Sequence, residues 1–429
     1  MNTTIGKLIV TSRDYKVNPF IVIWEVTRAC ALKCLHCRAE AQYRADPNQL
    51  SHEEGKQLID QIAQMQHPLL VFTGGDPLMR PDLYKLIQYA VNKHGLSVSM
   101  TPSATPRVTR SAVEQAAIAG LSRWAFSLDG SCDKIHDYFR GTPGSFERTM
   151  NGIGYLQDMH IPIQINTTVS RYNLDDLPHI AELVEEMGTV LWSLFFLIPT
   201  GRANADDVIT PEQHEQVMNW LCTLRQSVPY GIKATEAPHY RRVLVQYAAK
   251  VKGAIEHLQH VPDKETITSQ LNPKPNHFAL PLSASAPTST HTQLNTNIAA
   301  SASCTTANHL PLEVPMPRHV DVLGRAPQGV NDGDGFVFIS HIGDVYPSGF
   351  LPLQCGNVRQ TPLADIYRQS TVMQELRDKR LLKGKCGACE FKTLCGGSRA
   401  RAYAITGDYL QSDPACAYVP AGWTGEDAQ

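Results

Sequence analysis

The sequence has no long apolar run. Its most apolar stretch, Leu191 to Ile198, is far shorter than the roughly 20 residues that cross a bilayer. It has no charged start followed by an apolar core. The first residues read MNTTIGKLIVTSRDYKVNPF, so no secretory signal is expected. It has no excess of one charge: 39 Lys and Arg stand against 41 Asp and Glu, a formal net charge of −2. Without a basic face, nucleic acid is not an expected partner. Without Lys/Arg blocks, neither is a membrane surface. No fixed-period repeat is visible. The cytoplasm is the expected compartment.

What is present is length and cysteine. The 429 residues are 42% apolar, enough for two or three domains or one large barrel with an extension. Eleven cysteines in a cytoplasmic chain point to metal or catalysis, because disulfides are disfavoured there. Seven fall into two patterned groups. Cys132, Cys222, Cys304 and Cys355 stand apart, and the first three read as ordinary thiols.

After an N-terminal extension (1–19), short apolar runs alternate with amphipathic ones over 20–210. Strands are expected at 20–26, 69–75, 96–103, 123–130, 162–170 and 191–201, with helices between them. Ser51 and Glu54 form a capping-box signature for the first helix. Six β-then-α units argue for an α/β fold with a parallel sheet, as an open or partial (β/α) barrel or a doubly wound sheet. Residues 211–261 read as a helical connection, with two helices over 211–252. Residues 262–317, rich in Ser, Thr, Pro, Asn and Ala, read as a disordered insertion. Over 318–429, a hairpin at 335–350 and a helix at 363–378 precede the second cysteine group.

The first group, CALKCLHC, places Cys30, Cys34 and Cys37 at C-x3-C-x2-C spacing just after the first expected strand. Three thiolates so close can wrap one metal centre. A structural zinc site takes four ligands, so three leave one position open, or filled by a residue such as His36. The spacing and its setting resemble the radical S-adenosylmethionine (SAM) superfamily. That resemblance implies a partial (β/α)6 TIM-type barrel with a small C-terminal iron–sulfur domain. It implies that the triad holds a [4Fe–4S] cluster whose fourth iron binds SAM. It also implies reductive cleavage of SAM to a 5′-deoxyadenosyl radical, with an electron from a reductant such as flavodoxin or ferredoxin.

The resemblance extends to further positions. His36 stands where the family has an aromatic residue near the adenine. TGGDP, with Gly74, Gly75, Asp76 and Pro77, resembles the family's glycine-glycine-glutamate-proline loop, which meets the SAM amino group; Asp76 replaces the usual Glu. Ser127, Asn166 and Thr168 fall at strand ends where the family contacts the ribose or carboxylate. Active sites of barrels collect at such ends.

The second group, Cys386, Cys389, Cys395 and Cys416, follows C-x2-C-x5-C-x20-C. Four thiolates could close either a zinc ribbon or a cluster. The region resembles the SPASM or twitch extension, which implies an auxiliary [4Fe–4S] cluster. Ser348 stands where relatives often have Cys, so one auxiliary cluster is expected, with Cys355 the spare candidate.

The segments TEAPHYRR (235–242), GDVYPSGFLPLQCGNV (343–358) and CGACEFKTLCGGSRARAYAITGDYL (386–410) resemble the tetrapyrrole-modifying branch of the superfamily, the heme-pathway decarboxylases and heme d1 enzymes. A tetrapyrrole bears carboxylates, so Arg140, His239, Tyr240, Arg241, Arg242, Arg399 and Arg401 are candidate substrate contacts. The rival is a maturase acting on a ribosomally made peptide. Only about 19 residues precede the first strand, which leaves no room there for a precursor-binding domain. A non-catalytic iron–sulfur electron carrier is the third reading, and the TGGDP loop argues against it.

Overall fold

The computed structural model describes residues 13–259 and 329–425. The Ser/Thr/Pro-rich insertion expected at 262–317, with Cys304, lies outside them.

Among the described residues, ten strands form one sheet. In chain order they are β1 (Ile21–Glu25), β2 (Leu69–Thr73), β3 (Val98–Met100), β4 (Arg123–Ser127), β5 (Ile163–Val169), β6 (Leu191–Phe196), β7 (Gly231–Thr235), β8 (Phe336–Ile339), β9 (Asp344–Tyr346) and β10 (Gly356–Asn357). The spatial order is β10-β9-β8-β1-β2-β3-β4-β5-β6-β7. From β8 to β7 every neighbouring pair is parallel; β9 and β10 add an antiparallel edge. Helices cross between successive parallel strands, as such pairing requires.

Side chains along a strand alternate between faces. One face of the sheet packs on the helices. There Trp24, Phe72, Trp124, Phe126, Ile165, Trp192 and Leu194 are fully buried in one core with helix residues such as Leu58, Leu86, Val113 and Ile180. Each buried Leu, Ile or Phe contributes roughly 1.5–3 kcal/mol. The other face, at Ile23, Val71, Ser99, Ala125, Asn166, Ser193, Lys233 and Phe338, lines a cavity of about 560 Å³. All eight parallel strands contribute, so the sheet is curled around that space. β5 shows the division plainly: Ile163, Ile165, Thr167 and Val169 are buried, while Gln164, Asn166 and Thr168 turn to the cavity.

The six expected β–α units are present, and Ser51 and Glu54 form the reciprocal capping box. Two features differ. Residues 211–252 are not two helices in succession: β7 lies between the helices Pro211–Leu224 and Tyr240–Gln259. Its inward positions are Gly231, Lys233 and Thr235, so only Ile232 and Ala234 carry an apolar signal, too little to stand out between helices. An additional helix, Asp133–Arg140, follows β4 and closes with Gly141 at φ 58°. Among the described residues, no helix is long and apolar enough to cross a membrane.

Candidate active site and iron–sulfur centres

The loop after β1 carries Cys30, Cys34 and Cys37. It is tied at its base: Cys30 N–H donates to Gln42 O at 2.7 Å, and Gln42 N–H to Arg28 O at 3.0 Å. All three cysteines line the large cavity. Cys30 Sγ accepts from Leu32 N–H at 3.4 Å, and Cys34 Sγ from Arg140 Nη1 at 3.8 Å. Burial pushes the Cys30 thiol up to about 11 and the Cys34 thiol in the same direction. Binding a metal centre through such thiols is coupled to release of their protons.

Gly74 and Gly75 also line the cavity, but the structure gives them a further task. A Cβ on Gly75 would stand 2.5 Å from Ala29 O and 2.6 Å from Arg28 O; one on Gly74 would stand 2.6 Å from Thr27 O. The pair packs directly against the backbone leading into Cys30. Gly75 N–H donates to Thr27 O and Asp76 N–H to Ala29 O, at 2.8 and 2.7 Å. Ser103 joins them, donating to Gly75 O at 2.9 Å.

Asp76 and Pro77 do not line the cavity. The Asp76 carboxylate accepts from Thr105 Oγ1 at 2.7 Å and from Leu78 N–H at 3.1 Å, capping the short turn Pro77–Met79. Burial pushes it up to about 6 despite those bonds. Its side chain fixes the loop from behind, a placement that does not match the expected ligand contact.

His36, Ser127, Asn166 and Thr168 all face the cavity. The His36 ring stacks on Phe139, centroids 4.1 Å apart and planes 10° apart. Burial holds it neutral. Ser127 and Asn166 are direct partners in the β4–β5 register. Thr168 N–H donates to Asp129 Oδ1 at 2.6 Å. Asp129 in turn pairs with Arg140, which reaches Cys34. Arg140 borders the cavity with its guanidinium engaged on both sides. Among the described residues, buried nitrogens near the loop without hydrogen-bond partners include His36 Nδ1 and Nε and Nη2 of Arg202. Arg202 N–H bonds Cys37 O at 3.1 Å, and its side chain lines the cavity. A polar ligand beside the three cysteines fits these orphaned groups.

Cys386, Cys389, Cys395 and Cys416 line a second, small cavity of about 20 Å³. Backbone N–H groups are already aimed at its sulfurs: Asp413 at Cys386, Phe391 at Cys389, and Gly397 at Cys395, each at 3.4 Å. Arg399 Nη2 adds a contact to Cys386 Sγ at 3.6 Å. Donors converging on sulfur stabilise thiolates and suit a cluster. Among the described residues, no three His, Cys, Asp or Glu side chains converge as a single-ion site. A four-iron cluster asks for something else, one thiolate per iron. Cys355 is not among the four: its thiol donates to Leu353 O at 3.5 Å and packs on the main core. Ser348 lies in the large cavity wall.

Most of the proposed substrate contacts are braces. Arg399 donates to Tyr409 O and Gln411 O. Arg401, fully buried, pairs with Asp413 at 3.1 Å and donates to Glu236 O at 2.8 Å. His239 stands 3.8 Å from Asp413 and is equally enclosed. Arg242 grips Glu215 and lies over the Tyr418 ring. None of these four lines the large cavity; Tyr240 and Arg241 do. The sequence reading missed Arg123, Arg202 and Lys233, which line it too.

A curled parallel sheet with a three-cysteine loop at its mouth and a separate four-cysteine site defines a SAM-dependent iron–sulfur enzyme. The chain belongs to the radical SAM superfamily. It matches that superfamily over residues 24–184 and an iron–sulfur cluster-binding domain over 332–390, a span that includes Cys386 and Cys389. It is 39% identical over 406 residues to the AdoMet-dependent heme synthase of Nitratidesulfovibrio vulgaris, covering 94% of each chain. It is 35% identical to the AdoMet-dependent heme synthase of Methanosarcina barkeri, covering 94% of this chain and 97% of that one. Its fold is similar to that of Streptococcus suis SuiB bound to S-adenosylmethionine, with a TM-score of 0.61 at 13% identity, covering 94% of this chain and 78% of SuiB. The cofactors of the family are a SAM-binding [4Fe–4S] cluster, SAM, and an auxiliary iron–sulfur cluster.

Proposed function

We propose that this enzyme acts on an iron tetrapyrrole, converting propionate side chains to vinyl groups in heme formation. The observation that supports this most is one cavity of about 560 Å³ that brings three cluster-type cysteines together with a polar and cationic wall. That volume lies within the range of sites for large small-molecule ligands. The likeness to the two heme synthases spans 94% of the chain.

In this reading Cys30, Cys34 and Cys37 hold the SAM-cleaving cluster, and Cys386, Cys389, Cys395 and Cys416 hold the auxiliary one. When bound, the cluster and SAM supply a hydrogen-abstracting radical. The chain's own residues do the rest. Gly74 and Gly75 fix the cysteine loop. His36 on Phe139 and the Ser127–Asn166–Thr168 wall orient the nucleoside side of SAM. Arg140 balances charge beside Cys34. The curled sheet excludes water from the reacting centre. Propionate to vinyl releases CO2, one hydrogen atom and one electron; we assign the hydrogen atom to the SAM-derived radical and the electron to a one-electron acceptor of the flavodoxin or ferredoxin class. A flavodoxin or ferredoxin and a cytoplasmic setting complete the proposal.

Anaerobic, iron-loaded protein given SAM, dithionite and iron coproporphyrin III should return a porphyrin lighter by CO2 and by hydrogen, with one 5′-deoxyadenosine per vinyl formed. Mass spectrometry reads both. Unchanged porphyrin, with deoxyadenosine formed only when a peptide is supplied, would sink the proposal.

A further inference from the structure

Among the cations that line the cavity, Arg123, Lys233 and Arg241 have no role in the cluster and SAM assignments above. Lys233 is an inward residue of β7, on the rung that runs Ser127–Asn166–Ser193–Lys233. Arg123 stands four residues before Ser127 on the same face of β4, roughly 13 Å further from the strand's C-terminal end. It is paired in register with Ser99, deeper in the curled sheet than the three-cysteine loop. Arg241 lies in the first turn of the helix after β7. It donates to Leu394 O at 3.2 Å and to Val330 O, which hold its guanidinium against the segment leading into β8. All three border the cavity.

These groups repel one another. Burial first, then Arg123 and Arg241, push the Lys233 ammonium down to about 8, so it still carries charge at neutral pH. The cavity's acids offset this poorly. Burial and neighbouring Asp332 push Glu236 up to about 8, and burial raises Asp332 as well. Against Lys233 itself, the charge of Glu236 acts in the opposite direction and is the smallest of the influences on it. Like charges gathered in a buried space are costly. An entering carboxylate reverses the sign, and a guanidinium can grip it through two parallel bonds.

We propose that Arg123, Lys233 and Arg241 form a carboxylate subsite that holds propionate side chains of the tetrapyrrole, so that another side chain faces the three-cysteine loop. This rests on the function proposed above and names the part of the chain that reads the substrate's charge.

The test is an absorbance titration of iron-loaded, full-length protein with iron coproporphyrin III. Lys233→Met should raise Kd about tenfold or more, the size of one charge-assisted bond. Lys233→Arg should bind within about threefold of wild type. The porphyrin-free melting temperature of Lys233→Met should be equal or higher, since a repulsive charge is gone. Should that variant fail to fold, Arg123→Gln carries the same expectation for Kd. Wild-type-like affinity in the folded Met or Gln variant overturns the subsite alone. No binding by the wild type overturns the tetrapyrrole reading and the subsite with it.

Discussion

Replacing Cys30, Cys34 and Cys37 together with Ala should abolish 5′-deoxyadenosine formation, from substoichiometric bursts up to multiple turnovers. Iron per chain should fall from about eight to about four, the content of one remaining four-iron cluster. The loss is complete because the hard chemistry belongs to the cofactor, and no other group in the cavity can supply it. The remaining iron should stay because the second site is built separately. Its sulfurs receive N–H groups from Asp413, Phe391 and Gly397, none of which touches the first loop. The fold should survive, since the loop's ends are held by Gln42 and by the Gly74–Gly75 contact rather than by the thiols. Iron analysis and chromatographic assay of deoxyadenosine read the two outcomes together. Loss of all iron would show the two sites to be one folding unit.

Asp413→Ala should be the most destabilising single change near the second site. Asp413 is fully buried, with Arg401 at 3.1 Å and Ser398 N–H at 2.8 Å. Burial alone would raise its carboxyl, yet the charges of Arg401 and His239 hold it well below the usual range. Removing it strands the Arg401 guanidinium, itself fully buried, at a cost of about 3–5 kcal/mol. The damage should spread in two directions. Arg401 ties the site to Glu236 O and Phe196 O at the ends of β7 and β6, and Asp413 N–H serves Cys386 Sγ. Iron should fall to about four per chain, now from loss of the auxiliary cluster. Asp413→Asn, which keeps an acceptor for Ser398, should be less severe. Anaerobic thermal unfolding with iron analysis checks both variants. A wild-type melting temperature in Asp413→Ala would contradict this account of the buried pair.

Both cysteine groups were legible because their meaning lies in local spacing. Three thiols in eight residues need no tertiary information to suggest a shared centre, and the glycine pair at 74–75 follows a strand as a turn should. The arginines were not legible in this way. Arg399, Arg401 and Arg242 look like anion contacts in a linear reading, but a buried guanidinium can equally be spent on carbonyls and carboxylates folded around it. Only the fold tells these apart. Asp76 shows the same limit: its motif was recognisable, while the direction of its carboxylate, toward Thr105, depends on the loop after β3, 29 residues away. Lys233 was hidden because β7 was hidden. A five-residue strand with Gly, Lys and Thr facing inward has almost no apolar alternation, and its neighbours are helices. Alternation in GIKAT was the available signal, and it gains weight only beside β6.

The central claim is that a SAM-derived radical takes hydrogen from a tetrapyrrole side chain held in the curled sheet. Iron coproporphyrin III deuterated on its propionate methylene groups tests it most directly. Under anaerobic turnover the 5′-deoxyadenosine should gain one deuterium for each vinyl group formed. Deoxyadenosine free of deuterium, alongside unchanged porphyrin, would contradict the account.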